Sequence, residues 1–325
     1  MDFCDFFAII GVLTALYFIV YITALCITDC DLELAWAEKF GRPIDVLEGD
    51  VAWITGASSG IGEHIALALA QAGVRLVLSA RRKAELDRVK QKCIEIGRNL
   101  KDEDILVLPL DVTDYDCHQE CFDRVIDHFG TLDILINNAG RSQRADWEKI
   151  ELSVDKQMFD LNVFGVVALS RIAVRYFLEK GGGHIAVTSS LAGVFGVPFS
   201  GTYDGTKHAI HGYFNGLLAE KIGKNIHVTL LCPGPTFSNF LAESFTDTAG
   251  EKYGQPVRPT DRRMTGERCG KLCAVAIANR QREAWMGLFP LMPLVYLIYF
   301  PNLGSIILPY IGSKQLMKLR DSKVK

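Results

Sequence analysis

An apolar run, Val51-Ala52-Trp53-Ile54, leads straight into Thr55-Gly56-Ala57-Ser58-Ser59-Gly60-Ile61-Gly62, and this junction leaves the chain few folds to adopt. It predicts a strand, a glycine turn and a helix start. A helix N-terminus presents unpaired backbone N–H groups and a partial positive charge, so it accepts a pyrophosphate where the turn admits one. Gly56 suits the tight turn, Gly60 keeps side chains out of a ligand's way, and Gly62 lets the helix pack close to its strand. Residues 63–73 repeat apolar side chains at helical spacing (Ile65, Leu67, Ala68, Leu69, Ala72), as a helix laid on a sheet requires. A glycine triad alone also describes an ordinary strand-to-helix turn. The context here favours a dinucleotide.

Between residues 50 and 232, short apolar runs at 50–55, 75–80, 105–110, 132–137, 183–189 and 226–232 alternate with helical stretches. Such alternation predicts an α/β fold, a doubly wound parallel sheet of Rossmann type with helices on both faces. Leu106-Val107-Leu108 and Ile134-Leu135-Ile136 are apolar without alternation, as strands covered on both faces are. One domain over 48–282 accounts for all six runs. In such sheets the ligand lies beyond the carboxyl ends of the strands. After the second run comes Ser79-Ala80-Arg81-Arg82, where Ala80 cannot bind ribose hydroxyls while Arg81 and Arg82 can pair with a 2′-phosphate. NADP(H) is therefore expected over NAD(H), the competing reading being two solvated arginines. After the third run, Asp111, followed by Val112, either accepts from an adenine amino group or caps the next helix. Asn138, Ala139 and Gly140, which follow Asn137, are small or polar enough to let the backbone meet a nicotinamide.

Tyr203 and Lys207 fall one helical turn apart, and an ammonium beside a phenol favours the phenolate, lowering a pKa of about 10. That makes an acid usable near neutral pH. Tyr176/Lys180 and Tyr310/Lys314 share the spacing, but Tyr176 ends a helix that feeds the run 183–189, at the wrong end of the sheet, and Tyr310 lies in an apolar tail. Tyr203 alone follows a strand-end pair, Ser189-Ser190. Ser190, thirteen residues before it, can hydrogen-bond a substrate oxygen, with Ser189 as the alternative. Asn162 sits in a helical stretch where its amide needs a partner, a ligand or an ordinary helix neighbour.

Together TGxxxGxG at 55–62, NNAG at 137–140, Asn162, Ser190, Tyr203-x3-Lys207 and Pro233-Gly234 resemble the short-chain dehydrogenase/reductase family over about residues 48–280. The resemblance implies that Tyr203 donates the proton in reduction, that Lys207 holds the nicotinamide ribose and tunes Tyr203, that Ser190 orients the carbonyl and that Asn162 supports a water in a proton relay. It further implies that Pro233 and Gly234 line the nicotinamide pocket. Ser238 stands where the family often has Thr in PGxxxT, and keeps a hydroxyl for the cofactor. The implied activity is NADP(H)-dependent reduction of carbonyls, or oxidation of alcohols, on lipophilic substrates such as steroids or retinoids. Residues 236–263, polar and followed by the helical stretch 265–280, are expected to form the substrate lid. A catalytically silent nucleotide-binding membrane protein is the alternative, opposed by the intact Asn162, Ser190, Tyr203 and Lys207. Nucleotide-sugar epimerases and dehydratases on this fold differ in glycine spacing, TGxxGxxG.

Residues 6–27 carry no charge and are rich in Phe, Ile, Leu and Val. At about 1.5 Å per residue they match the hydrocarbon core of a bilayer. Residues 1–28 are expected to be a single-pass anchor and not a cleaved signal peptide, because the run exceeds an h-region, Met1-Asp2-Phe3-Cys4-Asp5 lacks basic residues and no Ala-x-Ala site follows. Acidic flanks leave the orientation open. Residues 29–47 read as a linker. Residues 284–313 are uncharged but broken by Pro290, Pro293, Pro301 and Pro309, which disfavours a straight span. The segment 283–325 is expected to be apolar, membrane-lying or substrate-covering, with a basic tail. The anchor and the family together imply an internal membrane, the endoplasmic reticulum, with membrane lipid and a lipophilic small molecule as partners; a homo-oligomer stays open. A formal net charge of −3 gives no footprint for nucleic acid, and nine cysteines without a C-x2-C pair point to no metal site.

Overall fold

Every residue of β1 (Val51–Thr55) is buried, with Ala52 and Ile54 packed into the core on one face of a sheet and Val51 and Trp53 into the core on the other. That two-sided burial sets the layering. The structure, a computed structural model, describes residues 2–299. Two helices, α1 (Phe3–Ile27) and α2 (Leu32–Phe40), precede β1. Then follow α3 (Gly60–Gln71), β2 (Arg75–Ser79), α4 (Lys83–Ile96), β3 (Ile105–Val107), α5 (His118–Phe129), β4 (Ile134–Asn137), α6 (Leu152–Phe159), α7 (Gly165–Lys180), β5 (Gly183–Thr188), α8 (Gly201–Glu220), β6 (Ile226–Pro233), α9 (Gly266–Ala278), β7 (Glu283–Met286) and α10 (Leu291–Val295).

The strands pair in parallel in the order β3-β2-β1-β4-β5-β6-β7. The order reverses between β1 and β4, where a crevice opens beyond the strand ends. Residues of α2, α3, α4 and α9 fill the core with Ala52 and Ile54, while α5, α7, α8 and α10 pack with Val51 and Trp53. Six strands fall within a residue or two of the expected runs, except that β3 stops at Val107; beyond it Leu108 and Leu110 still donate to the carbonyls of Leu78 and Ala80 around Pro109, which has no N–H. β7 lies in the segment assigned to the apolar tail. Only four residues long and leading into uncharged sequence, it has no period of its own, and its pairing with β6 is what defines it.

The apolar N-terminal run forms α1, 25 residues opened by a capping box in which the Asp2 side chain accepts from the Asp5 N–H and the Asp5 side chain from the Asp2 N–H. Only 6% of its most apolar window is buried, which leaves a bare helix long and apolar enough to cross a bilayer. The helical stretch 152–180 is also long and apolar enough, but its window is 56% buried and packs on the sheet. Residues 29–47, expected as a linker, are folded onto the body. Leu34 and Ala37 of α2 are buried among the residues of α9, and Arg268 of α9 clasps both Asp29 (2.7 and 2.9 Å) and Glu38 (2.5 and 2.8 Å). Those bonds hold the Glu38 carboxyl down at about 2. In the uncharged tail, Leu291, Met292 and Val295 of α10 are buried in the core, and Tyr296 meets Tyr21 of α1 edge-on at 5.7 Å. The rest of that segment, with Pro301, Pro309, Tyr310, Lys314 and the basic tail, lies outside the described residues.

Arg268→Ala is expected to leave the sheet intact and release residues 29–47, so that limited proteolysis in detergent cuts this segment several-fold faster than in the wild type. Equal rates would show that the clasp does not hold it.

Candidate active site

A threonine and an asparagine knot three strand ends together. Thr55 Oγ1, at the end of β1, accepts from the backbone N–H groups of Asn138 (3.0 Å) and Ala139 (3.1 Å) just past β4. The Asn138 amide donates back to the carbonyls of Thr55 (3.1 Å) and Gly56 (3.3 Å), and its oxygen accepts from Thr188 Oγ1 at the end of β5 (3.2 Å). Two glycines permit this closeness. Gly56 has φ +67° and a Cβ there would lie 2.8 Å from Ala139 Cα; a Cβ on Gly62 would lie 2.4 Å from the Gly56 carbonyl oxygen. Neither backbone can give way.

Beyond the knot lies a cavity of about 520 Å³. At one end its wall is Gly56, Ser58, Ser59, Gly60 and Ile61 around the start of α3, then Arg81 and Arg82 after β2 and Asp111 and Val112 after β3. The side chain of Ser59, the N-cap of α3, makes no bond to the first turn, whose N–H groups have no helical partners. A pyrophosphate fits this cradle. Asp111 accepts from the N–H (3.0 Å) and hydroxyl (2.8 Å) of Thr113, a local turn, while Arg81 approaches it at 3.9 Å. Asn138, Ala139 and Gly140 form the middle of the wall, and Ser238 faces Gly60 across it.

Ser190, Tyr203, Lys207, Pro233 and Gly234 stand at the other end. The Tyr203 hydroxyl is hydrogen-bonded to Ser190, whose Oγ also donates to the Pro233 carbonyl (3.2 Å) and accepts from the Ala192 N–H (3.1 Å). Ser189, the alternative, is held by the His211 Nε2 at 2.9 Å. Lys207 Nζ donates to the Thr188 carbonyl at 2.7 Å and sits 5.6 Å from the centroid of the Tyr203 ring. The expected lowering of the phenol does not occur: burial pushes Tyr203 up to about 12, with the Ser190 bond opposing, and the same burial pulls Lys207 down to about 8. The pair is buried together, and desolvation outweighs the attraction that spacing alone suggested.

Three expected residues stand behind the wall. Thr55 and Gly62 act through the knot. Asn162, in a π-helical turn between α6 and α7, accepts from the Arg141 N–H (2.9 Å) and donates to the Arg141 carbonyl (2.8 Å) and to Thr206 Oγ1 (3.1 Å). Its amide thus joins the loop after β4 to α8, beside Lys207.

Other groups were not named from the sequence. Arg144, Phe240, Leu291 and Leu294 also line the cavity; Phe240 lies in the expected lid 236–263, and Leu291 and Leu294, on α10, in the expected substrate-covering segment 283–325. His211, Cys232 and Glu283 are, among the described residues, a group close enough to share a metal ion, with donor atoms within 4.8 Å of one another. Their own contacts form a chain, Ser189 to His211 to Glu283 (3.6 Å from Nδ1), which ties α8 to β7. Asp204, next to Tyr203, accepts from the Val197 N–H at 2.7 Å, but its other oxygen is buried without a hydrogen-bond partner. Burial raises its carboxyl to about 7.

A carboxyl raised on folding contributes stability that is present at low pH and lost as pH rises through the folded value. Asp204→Asn is therefore expected to raise the melting temperature at pH 8 and to change little at pH 5, a gain on the order of 1 kcal/mol. An unchanged melting curve at pH 8 would show that Asp204 bears no such penalty.

The short chain dehydrogenase family matches residues 50–249. Dehydrogenase/reductase SDR family member 7 of Homo sapiens is 41% identical over 300 residues, covering 90% of this chain and 87% of its own. The Mus musculus protein of the same name is 38% identical over 298 residues, with the same coverage of 90% and 87%. Among solved structures, the alcohol dehydrogenase of the archaeon Thermococcus sibiricus complexed with 5-hydroxy-NADP is similar with a TM-score of 0.62 at 25% identity, over 74% of this chain and 96% of that one. A short chain dehydrogenase/reductase of Burkholderia phymatum in complex with NAD shares the fold with a TM-score of 0.68 at 24% identity, over 79% and 95%. By the family match and the 41% identity, the chain belongs to the short-chain dehydrogenase family.

Proposed function

We propose that the chain is an NADP(H)-dependent oxidoreductase that reduces carbonyls of lipophilic small molecules such as steroids or retinoids, or oxidises the matching alcohols, held in the endoplasmic reticulum membrane by α1. One observation carries this reading: a neutral phenol, a serine hydroxyl bonded to it and a buried lysine share a cavity whose far end is a glycine-rich helix start. Arg81 and Arg82, with Ala80 where an acid would serve NAD, support a 2′-phosphate. Phe240, Leu241, Leu291 and Leu294 make the substrate end apolar.

The hydride is supplied by reduced nicotinamide when it is bound. Ser190 Oγ donates to the carbonyl oxygen and sets it against Tyr203. Tyr203, kept neutral by burial, passes its proton to that oxygen as negative charge develops. Lys207, protonated below about pH 8, stabilises the tyrosinate left behind. Asn162 is a positioning residue, fixing the Arg141 backbone and Thr206.

NADPH consumption by the detergent-solubilised protein against retinal, steroid ketones and quinones tests this. Tyr203→Phe is expected to lose at least about a hundredfold in kcat with NADPH binding retained. Wild-type reduction is expected to fall as pH rises through about 8, where Lys207 loses its proton. Arg82→Ala is expected to weaken NADPH about tenfold and leave NADH unchanged. Full turnover in Tyr203→Phe would overturn the catalytic assignment, and equal loss of both cofactors in Arg82→Ala the NADP preference.

A further inference from the structure

We infer that the outer face of α2 is a bilayer-docking surface, seated in the lipid–water interface beside the point where α1 leaves the membrane. This rests on α1 being the anchor. Three observations carry it.

First, α2 cannot move away from the end of α1. Only residues 28–31 separate them, a reach of at most about 14 Å. Residues 29–31 are fixed to the body: the Asp29 carbonyl accepts from the Gly287 N–H (2.8 Å), Cys30 bridges to Met286, and Asp31 both donates to the Trp285 carbonyl (2.9 Å) and accepts from the Trp285 N–H (2.6 Å), while Thr28 donates back to the Ala24 carbonyl of α1 (3.0 Å). With Arg268 clasping Asp29 and Glu38, the joint has no slack.

Second, α2 turns large aromatics outward. Leu34 and Ala37 face the core, but Trp36 and Phe40, one turn apart on the other side, are 66% and 68% exposed, their rings 4.5 Å from centroid to centroid. An exposed Trp–Phe pair directly after a bare apolar helix has the composition of an interfacial aromatic belt. The water–lipid boundary is where an indole keeps its N–H wet and its ring dry.

Third, the charges around the pair suit lipid headgroups. Lys39 and Arg42 are exposed beside Phe40, long enough to reach phosphate from an interfacial position. Glu38 is already paired with Arg268 and Lys271 (3.0 Å), which leaves Glu33, at the start of the helix, as the exposed acid on α2.

Docking of α2 would orient the body. Tyr296, just after α10, rests on Tyr21 of α1, and Leu291 and Leu294 at α10 line the cavity, so the substrate end is held on the side of the molecule that carries the anchor.

The test uses the full-length protein in phosphatidylcholine nanodiscs, with and without lipid brominated on the acyl chain near the headgroup, and reads tryptophan fluorescence. Brominated lipid is expected to quench the wild type, and Trp36→Phe to lose that quenching by about twofold or more. Phe40→Ala, which keeps the reporter, is expected to reduce quenching of Trp36 in part. Equal quenching in the wild type and Trp36→Phe, with the protein still in the disc, overturns the docking surface, as does cross-linking of Trp36 to a second copy of this chain. Release of the protein from membranes by alkaline carbonate would instead overturn the anchor reading on which docking depends.

Discussion

The bonds between Thr55 and Asn138 fix where everything else in the site can be. They join the ends of β1 and β4, Asn138 reaches on to β5, and the glycine turn and the serine that follows β5 are both placed from there. The knot needs close backbones, so Gly56 and Gly62 cannot carry side chains. Two ends of one cavity, a helix N-terminus suited to phosphate and a phenol suited to proton transfer, are thereby held at a set separation. The same order reversal that opens the crevice makes β1 and β4 neighbours.

Burial governs the chemistry at the phenol end. Tyr203 and Lys207 lie under the loop after β5, where desolvation opposes charge on either. In the proposed reaction a tyrosine kept neutral would hold the proton that reduction needs, and a lysine whose own charge is disfavoured by burial would respond to the charge that develops beside it. Asp204 carries the same burial, which makes it a source of instability beside Tyr203. His211 and Lys207, one turn apart on α8, grip Ser189 and Thr188, so the serine that bonds Tyr203 is held by its neighbours as well as by Pro233.

Most of the sheet was legible in the sequence because its strands are continuous apolar runs bounded by glycine and polar residues, and the residues that follow them are those that line the cavity. β7 escaped because four residues have no period and only the pairing with β6 makes them a strand. The fold of 29–47 escaped for a related reason: Arg268 meets Asp29 across 239 positions, and nothing local in either segment announces the other. Spacing placed Tyr203 and Lys207 on one helix face, yet the direction of the phenol's shift depended on burial, which spacing does not encode. Asn162 was found by its need for a partner, and the partner proved to be the backbone of Arg141. The proposed cofactor preference and substrate class rest on Arg81, Arg82 and an apolar cavity end.

Hydride transfer within this crevice is the central claim. It is tested most directly by turning over a lipophilic ketone with NADPH deuterated at the transferable position of the nicotinamide and analysing the alcohol by mass spectrometry. The account predicts one deuterium on the carbinol carbon of the product. Alcohol formed without deuterium, with the label retained on the cofactor, would contradict it.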